Sequence, residues 1–105
     1  DQAVDRLDMA RVRSAIHGGR KIRLTYRDER DRASERTVWP IAIGYHDATR
    51  MLIAWCELRS GFRHFRTDRV TDAVFLDERH GQSLAALRAQ WRKTLPCATR
   101  EPAAA

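Results

Sequence analysis

Residues 51–58 read MLIAWCEL, and this stretch decides the fold. In an extended strand, side chains alternate between two faces. Here Met51, Ile53 and Trp55 would lie on one face, and the apolar residues Leu52, Ala54 and Cys56 on the other. A strand that is apolar on both faces belongs in the middle of a sheet or barrel. The dipeptide Ser60-Gly61 follows as a hairpin turn, so we predict a central strand over 51–58 that enters a tight hairpin.

The remaining strands are more polar. Ile22, Leu24 and Tyr26 alternate with basic or polar residues, which indicates a strand with one buried face. Pro40 falls within the second strand and predicts an edge or a bulge there, because proline cannot donate to the hydrogen-bond ladder. A break at 68–69 separates the last two strands. The predicted bounds of these strands are 21–27, about 36–45, 62–67 and 70–76.

A helix is predicted at each end. In residues 5–17, apolar residues recur at helical spacing; Asp5 or Asp8 can cap the start, and Gly18 and Gly19 end the helix. Residues 82–95 form the second helix, which ends at Pro96. The prediction is a mainly β fold with flanking helices, a small five-stranded barrel over 21–76. Its expected core includes Ile22, Leu24, Leu52, Ala54 and Cys56.

The composition fits one domain over residues 1–96, followed by a tail at 97–105 that we expect to be disordered. The longest apolar run is too short to span a bilayer, and no signal peptide is evident. Cys56 and Cys97 lie far apart without framework spacing, which favours reduced thiols in a cytoplasmic protein. The net charge of +6 suits an anionic partner, although a GC-rich genome would also favour arginine.

The strongest local signal is a basic strand. Two phenylalanines, Phe62 and Phe65, interleave a group of arginines within eleven residues: Arg59, Arg63, Arg66 and Arg69. Guanidinium groups pair with phosphates while aromatic rings stack on bases, so the pattern suits single-stranded nucleic acid. An ordinary solvated strand with its phenylalanines in the core is the alternative. Strict alternation places Arg63 and Arg69 on the face opposite Arg66 unless the break near Asp68 brings them together.

Four segments in this order and spacing resemble the WYL domain family. They are GRKIRLTYR at 19–27, VWPI at 38–41, LIAWCELR at 52–59 and FRHFRTDRV at 62–70. The Trp-Tyr-Leu triplet that names the family aligns with Arg50, Met51 and Leu52, so only the leucine is kept. The resemblance implies an Sm-like or SH3-like barrel in a bacterial transcription regulator. It also implies a homodimer with a winged helix-turn-helix domain upstream, absent from this chain, that binds duplex DNA.

The resemblance further implies that the domain senses an anionic ligand, with single-stranded DNA or RNA or a nucleotide as the leading candidates. It favours a functional role for the basic strand. The expected ligand-binding residues are Arg63, Arg66 and Arg69, with Arg59, His64, Arg23 and Tyr26 at their margin. Asp68 would either orient Arg66 or Arg69 or stabilise the strand break as an Asx turn, and we favour the second role.

We expect no catalysis, no cofactor and no metal. The scattered histidines and cysteines match no zinc spacing, and Ser60, His64 and Asp68 lack the strained elbow and oxyanion donors of a catalytic triad. Two other functions stay open. One is a standalone Sm-like protein that binds RNA or DNA, and the other is a dimerisation module without a ligand.

Overall fold

The computed structural model describes residues 7–95. Asp5, Cys97 and the predicted tail at 97–105 lie outside these residues, so the prediction of a disordered tail is untested. The elements are α1 (Met9–Gly18), β1 (Arg20–Arg27), β2 (Ala33–His46), β3 (Thr49–Cys56), β4 (Gly61–Arg66), a 3₁₀ turn (Thr67–Arg69), β5 (Val70–Arg79) and α2 (Leu84–Thr94). The mainly β fold with a helix on each side is therefore confirmed.

The five strands pair antiparallel in one sheet of order β4-β3-β2-β1-β5. β3 is interior, as its two apolar faces predict. The sheet edges, β4 and β5, are joined by only the three-residue 3₁₀ turn. In a flat sheet these edges would lie about 19 Å apart, whereas the chain from Arg66 to Val70 reaches at most about 14 Å. The sheet must therefore curl. Pairing of β4 with β5, which would close a barrel, is not among the pairings found within residues 7–95.

The strand that holds Pro40 is not an edge of the sheet, contrary to one of the two predictions for it. β2 lies between β1 and β3. Its pairing with β1 ends at Val38, and its pairing with β3 shifts register between Pro40 and Ala42. The predicted bulge is thus present. Pro40 is tolerated in an interior strand because it lies beyond Val38, the last residue of β2 that pairs with β1, so no ladder hydrogen bond to that strand is required of it.

Apolar side chains pack on both faces of the curled sheet. All five predicted core residues are fully buried on the inner face, where α1 contributes Val12 and Ile16. On the outer face, Ile53 packs with Ile41 and with Leu87 of α2. Cys56 is a free, buried thiol. The two helices therefore cover opposite faces and leave the end of the sheet near the 3₁₀ turn accessible.

Local signals position α1 as the sequence predicts. The Asp8 carboxylate accepts hydrogen bonds from the backbone N–H groups of Ala10 and Arg11, at 3.0 and 3.3 Å. Gly19 ends the helix with φ of 69° in the left-handed region, which glycine adopts without steric cost. β1 begins directly after this residue, so the helix end fixes where the first strand enters the sheet.

Candidate anion-binding cleft

An open cleft of about 640 Å³ lies where the 3₁₀ turn meets the ends of β1 and β4. Its lining combines two arginines, two carboxylate residues and three side chains of mixed character: Arg66, Arg69, Asp28, Glu29, Tyr26, Met51 and His64. Four of the seven predicted ligand-binding residues line this cleft.

The 3₁₀ turn brings Arg66 and Arg69 to the same cleft. Arg66 is the last residue of β4 and Arg69 the last of the turn, so strand alternation does not apply between them. The turn is anchored by Thr67, which is buried. Its hydroxyl accepts a hydrogen bond from Nε of Arg50 at 3.2 Å and donates one to the Arg50 carbonyl at 3.3 Å. The break in the strand thus allows both arginines to reach the same cleft, which a straight strand would prevent.

Asp68 orients the guanidinium of Arg66. Nε and Nη2 of Arg66 donate to the two carboxylate oxygens of Asp68 at 3.1 and 2.8 Å, a bidentate pair. The hydrogen bond to Asp68 raises the pKa of Arg66, and the same contact lowers the pKa of Asp68. Of the two roles considered for Asp68, the orienting role is the one that these two hydrogen bonds support. The remaining N–H groups of Arg66 are left for a ligand.

The other arginine and the tyrosine are held by the backbone. Nη1 of Arg69 donates to the carbonyl of Asp28 at 2.9 Å. The hydroxyl of Tyr26 accepts a hydrogen bond from the backbone N–H of Arg66 at 3.1 Å, and its ring packs edge-on against Phe65 with centroids 5.2 Å apart. These contacts connect β1 to the end of β4, so the same interactions that hold the two strands together also hold the cleft residues in place.

The carboxylate of Asp28 is turned toward its own loop. Oδ1 accepts hydrogen bonds from the backbone N–H groups of Arg30 and Arg32, each at 2.9 Å. The bond from Arg32 is the main reason that the pKa of Asp28 is lowered. Asp28 therefore shapes the β1–β2 loop, and its negative charge is partly satisfied by that loop.

His64 lies at the other side of the cleft. Its side chain is on the outer face of β4, beside Trp91 of α2, with ring centroids 6.1 Å apart. Although His64 is exposed at the sheet surface, neighbouring atoms desolvate it enough to lower its pKa, and His46 lowers it further. The imidazole is therefore mainly neutral at pH 7 and offers one donor and one acceptor.

The other three predicted residues lie away from the cleft lining. Arg23 is exposed on β1, on the face away from the inner cluster against which Tyr26 packs. Arg63 is exposed on β4 and donates to the Phe62 carbonyl at 3.1 Å. Arg59 is exposed in the turn between β3 and β4. Clustering in sequence thus does not place these arginines in one pocket.

Sequence reasoning missed three lining residues. Asp28 and Glu29 belong to a charged connector whose path depends on the loop hydrogen bonds, and sequence alone does not show that path. Met51 was predicted only as an apolar strand residue, yet its register partner is Arg66, which places it in the cleft. Its position in the degenerate Trp-Tyr-Leu triplet was the one available signal.

Within residues 7–95, no group of three or more His, Cys, Asp or Glu side chains is arranged to hold a metal ion. No helix in this part of the chain is long and apolar enough to cross a membrane.

The described residues thus form a curled five-stranded sheet with an arginine-bearing cleft at one end. The family model of the WYL domain matches residues 8–75, and the chain belongs to that family. Among solved structures, proteasome accessory factor B/C (PafBC) of Arthrobacter aurescens is similar, with 34% identity and a TM-score of 0.65. The similarity covers 74% of this chain and only 12% of that one. No curated protein matches the sequence.

Proposed function

We propose that this chain is the ligand-sensing domain of a bacterial transcription regulator, and that it binds a negatively charged ligand, single-stranded nucleic acid or a nucleotide, in the cleft. Membership of the WYL family supports the regulatory role. The observation that carries the ligand class is the convergence of Arg66 and Arg69 on one open cleft. Guanidinium groups bind phosphate bidentately, and an arginine held in place loses less entropy on binding.

Three carboxylates lie in or near the cleft and offset part of its positive charge, but two of them are engaged within the protein. Asp68 is paired with Arg66, and Asp28 accepts two backbone hydrogen bonds, so both are already satisfied. Glu29 is exposed at the loop surface. The donors available to an entering phosphate are the N–H groups of Arg66 that Asp68 does not use and those of Arg69, while Glu29 would oppose the phosphate.

In this proposal, the predicted arginines that do not line the cleft contribute only if the ligand is longer than a single nucleotide. Arg63 and Arg59 continue along β4 and its preceding turn, away from the cleft, and Arg23 lies on β1. A nucleotide would contact the cleft alone. Because Arg63 lies on the face of β4 opposite Arg66, a single strand would reach Arg63 and then Arg59 only by passing over the open edge of β4. Arg23 would contribute through its charge only.

The wider arrangement follows from the family. We infer an upstream winged helix-turn-helix domain that binds duplex DNA, a homodimer and a cytoplasmic location. The joining of the sheet edges through a three-residue turn supports the Sm-like barrel geometry. We infer a binding role without catalysis, which membership of the WYL family supports.

A binding titration tests the proposal. A labelled single-stranded oligonucleotide is titrated against wild type, Arg66→Ala, Arg69→Ala and the charge-matched control Arg13→Ala, an exposed residue of α1. We expect each cleft variant to lose about 1–3 kcal/mol of binding free energy, the range for a charge-assisted hydrogen bond, and the control to lose little. With about three phosphates neutralised, the slope of log affinity against log salt is about −2.

Equal losses in all three variants would reduce the effect to net charge and contradict a specific cleft. If wild type binds neither the oligonucleotide nor a mononucleotide at low salt, a dimerisation module becomes the better description of the domain.

A further inference from the structure

A second groove, of about 380 Å³, adjoins the cleft. It is lined by Gly44, Tyr45, His46, Met51, Ile53 and His64. Met51 and His64 line both spaces, so the groove and the cleft form one continuous depression on the outer face of the sheet. The cleft end carries the arginines, and the groove end is mainly apolar.

Gly44 forms part of the floor of this groove. In register, Gly44 pairs with Met51, which pairs with Arg66 across the next strand. A Cβ atom at Gly44 would meet only Cδ1 of Ile53 at 3.6 Å, an ordinary contact, and Gly44 is not one of the glycines with positive φ. Neither backbone strain nor crowding explains the glycine. A glycine within a strand marks a bulge, a tight bend or a site where a ligand or another backbone approaches closely. The register shift of β2 lies at Pro40 to Ala42 and not at Gly44, which leaves this part of the sheet surface open.

The sides of the groove suit a flat ring with polar edges. His46 and His64 are both exposed and near enough to interact electrostatically, which contributes to the lowered pKa of His64. A neutral imidazole can donate and accept hydrogen bonds at the edge of a ring. The thioether of Met51 makes favourable contacts with aromatic rings, and Ile53 adds apolar surface.

We infer that this groove binds a flat heteroaromatic ring covalently attached to the anion that Arg66 and Arg69 hold, as in the base of a nucleotide. Arg66 lies two strand spacings from Gly44, roughly 10 Å, so a sugar between phosphate and base bridges the two ends of the depression. The inference rests on the proposed function and adds a base-binding subsite to it. The nucleotide can be free or part of a single strand.

The test compares adenosine monophosphate with ribose 5-phosphate, which has the same anion without a base. Wild type is compared with Gly44→Val, which fills the groove floor. The matched control is Gly61→Val at the start of β4, where a Cβ atom also meets only ordinary contacts. We expect adenosine monophosphate to bind wild type about tenfold more tightly than ribose 5-phosphate, since stacking of one base contributes on that order. Gly44→Val should abolish this advantage while its binding of ribose 5-phosphate stays as in wild type, and Gly61→Val should keep the advantage.

The outcomes separate the two proposals. Equal binding of both probes to wild type, or an unchanged advantage in Gly44→Val, overturns the base subsite and leaves the anion-binding cleft standing. If wild type binds neither these phosphates nor a single-stranded oligonucleotide, both proposals fall. Preference for an oligonucleotide with a terminal base over one with a terminal abasic sugar, lost in Gly44→Val, assigns the ring to a single strand. Thermal melting of each variant confirms that it is folded.

Discussion

The hydroxyl oxygen of Tyr26 accepts a hydrogen bond at 3.1 Å from the backbone N–H of Arg66, a residue forty positions further along the chain. This contact joins the end of β1 to the end of β4, two strands that are not neighbours in the sheet order. The backbone of the main cleft arginine is thereby fixed by a partly buried group. A ligand contact at Arg66 is thus connected directly to the packing of the sheet interior.

Replacing Tyr26 by Phe leaves the N–H of Arg66 without this acceptor and keeps the ring against Phe65. We expect a loss of about 1 kcal/mol in the free energy of unfolding, the usual contribution of one hydrogen bond. We also expect several-fold weaker binding of a single-stranded oligonucleotide. Urea denaturation and a binding titration measure the two effects. Ser14→Ala is the control, because it removes an exposed hydroxyl of α1 that lies outside both the cleft and the neighbouring groove, and equal losses in both variants would contradict a specific role for Tyr26.

Asp68→Asn removes the ionic partner of Arg66. The folded-state pKa of Asp68 is lowered by that arginine, so its contribution to stability is present above the unfolded pKa, about 3.9, and is lost as pH falls through the folded pKa. The pair is about 40% exposed, so we expect a cost below about 1 kcal/mol at pH 7.

The difference between wild type and Asp68→Asn should shrink on acidification to about pH 3, as seen by urea denaturation at both pH values. Asp72→Asn, an exposed change on β5, serves as the control. A difference that is the same at both pH values would show that the carboxylate charge is not what stabilises the turn.

The chain has two lysines, and they offer a matched pair. Nζ of Lys21 lies 2.7 Å from Glu57 and 3.1 Å from Glu78, and Glu57 also accepts from the indole N–H of Trp39 at 2.8 Å. Lys21→Met leaves the two carboxylates facing each other without a cation, whereas Lys93→Met changes an exposed residue of α2. We expect Lys21→Met to lose about 1 kcal/mol, limited by solvent access to the carboxylates, and Lys93→Met to lose almost none.

The hydrogen bonds to Glu57 and Glu78 raise the pKa of Lys21, so this stabilisation is present at neutral pH and is lost only as pH rises through that raised value. Chemical denaturation at pH 7 measures the difference between the two variants. Indistinguishable stabilities would show that the Lys21 cluster contributes nothing measurable.

The sequence predicted the strands more fully than the site. The alternation in β1 and the two apolar faces of β3 depend on local periodicity, and Ile22, Leu24, Leu52, Ala54 and Cys56 are buried as that periodicity requires. The interior position of β2 was missed, because a proline shows only that the hydrogen-bond ladder is interrupted at that residue. It does not show whether a neighbouring strand is absent or merely stops pairing before the proline. Pairing between strands is a long-range property, and a single residue does not specify it.

The site was predictable only in part for a similar reason. The arginines of the basic strand are close in sequence, yet only Arg66 and Arg69 reach the cleft, because the 3₁₀ turn changes the direction of the chain between them. Met51 reaches the cleft through its register with Arg66, and Asp28 through a loop held by its own side chain. Register and loop conformation depend on hydrogen bonds that residue spacing does not show.

Protonation of His64 should favour ligand binding and oppose folding. Burial, and then His46, lower its folded pKa below the ordinary 6.5, so the unfolded chain takes up the proton first and stability falls as pH drops through about 6.5 toward the folded pKa. A phosphate in the cleft favours the charged imidazole, so affinity for a single-stranded oligonucleotide should rise over the same range. Denaturation and binding, each measured at pH 7.5 and 5.5, test this opposition. Replacing His64 by Gln should flatten the binding trend and reduce the stability trend, of which His80 supplies the rest because burial lowers its pKa too. The exposed control His17→Gln should keep both trends. A general gain of positive charge on acidification would act alike in both variants. If the binding trend persists in His64→Gln, the trend is therefore due to net charge, and His64 is not part of the site.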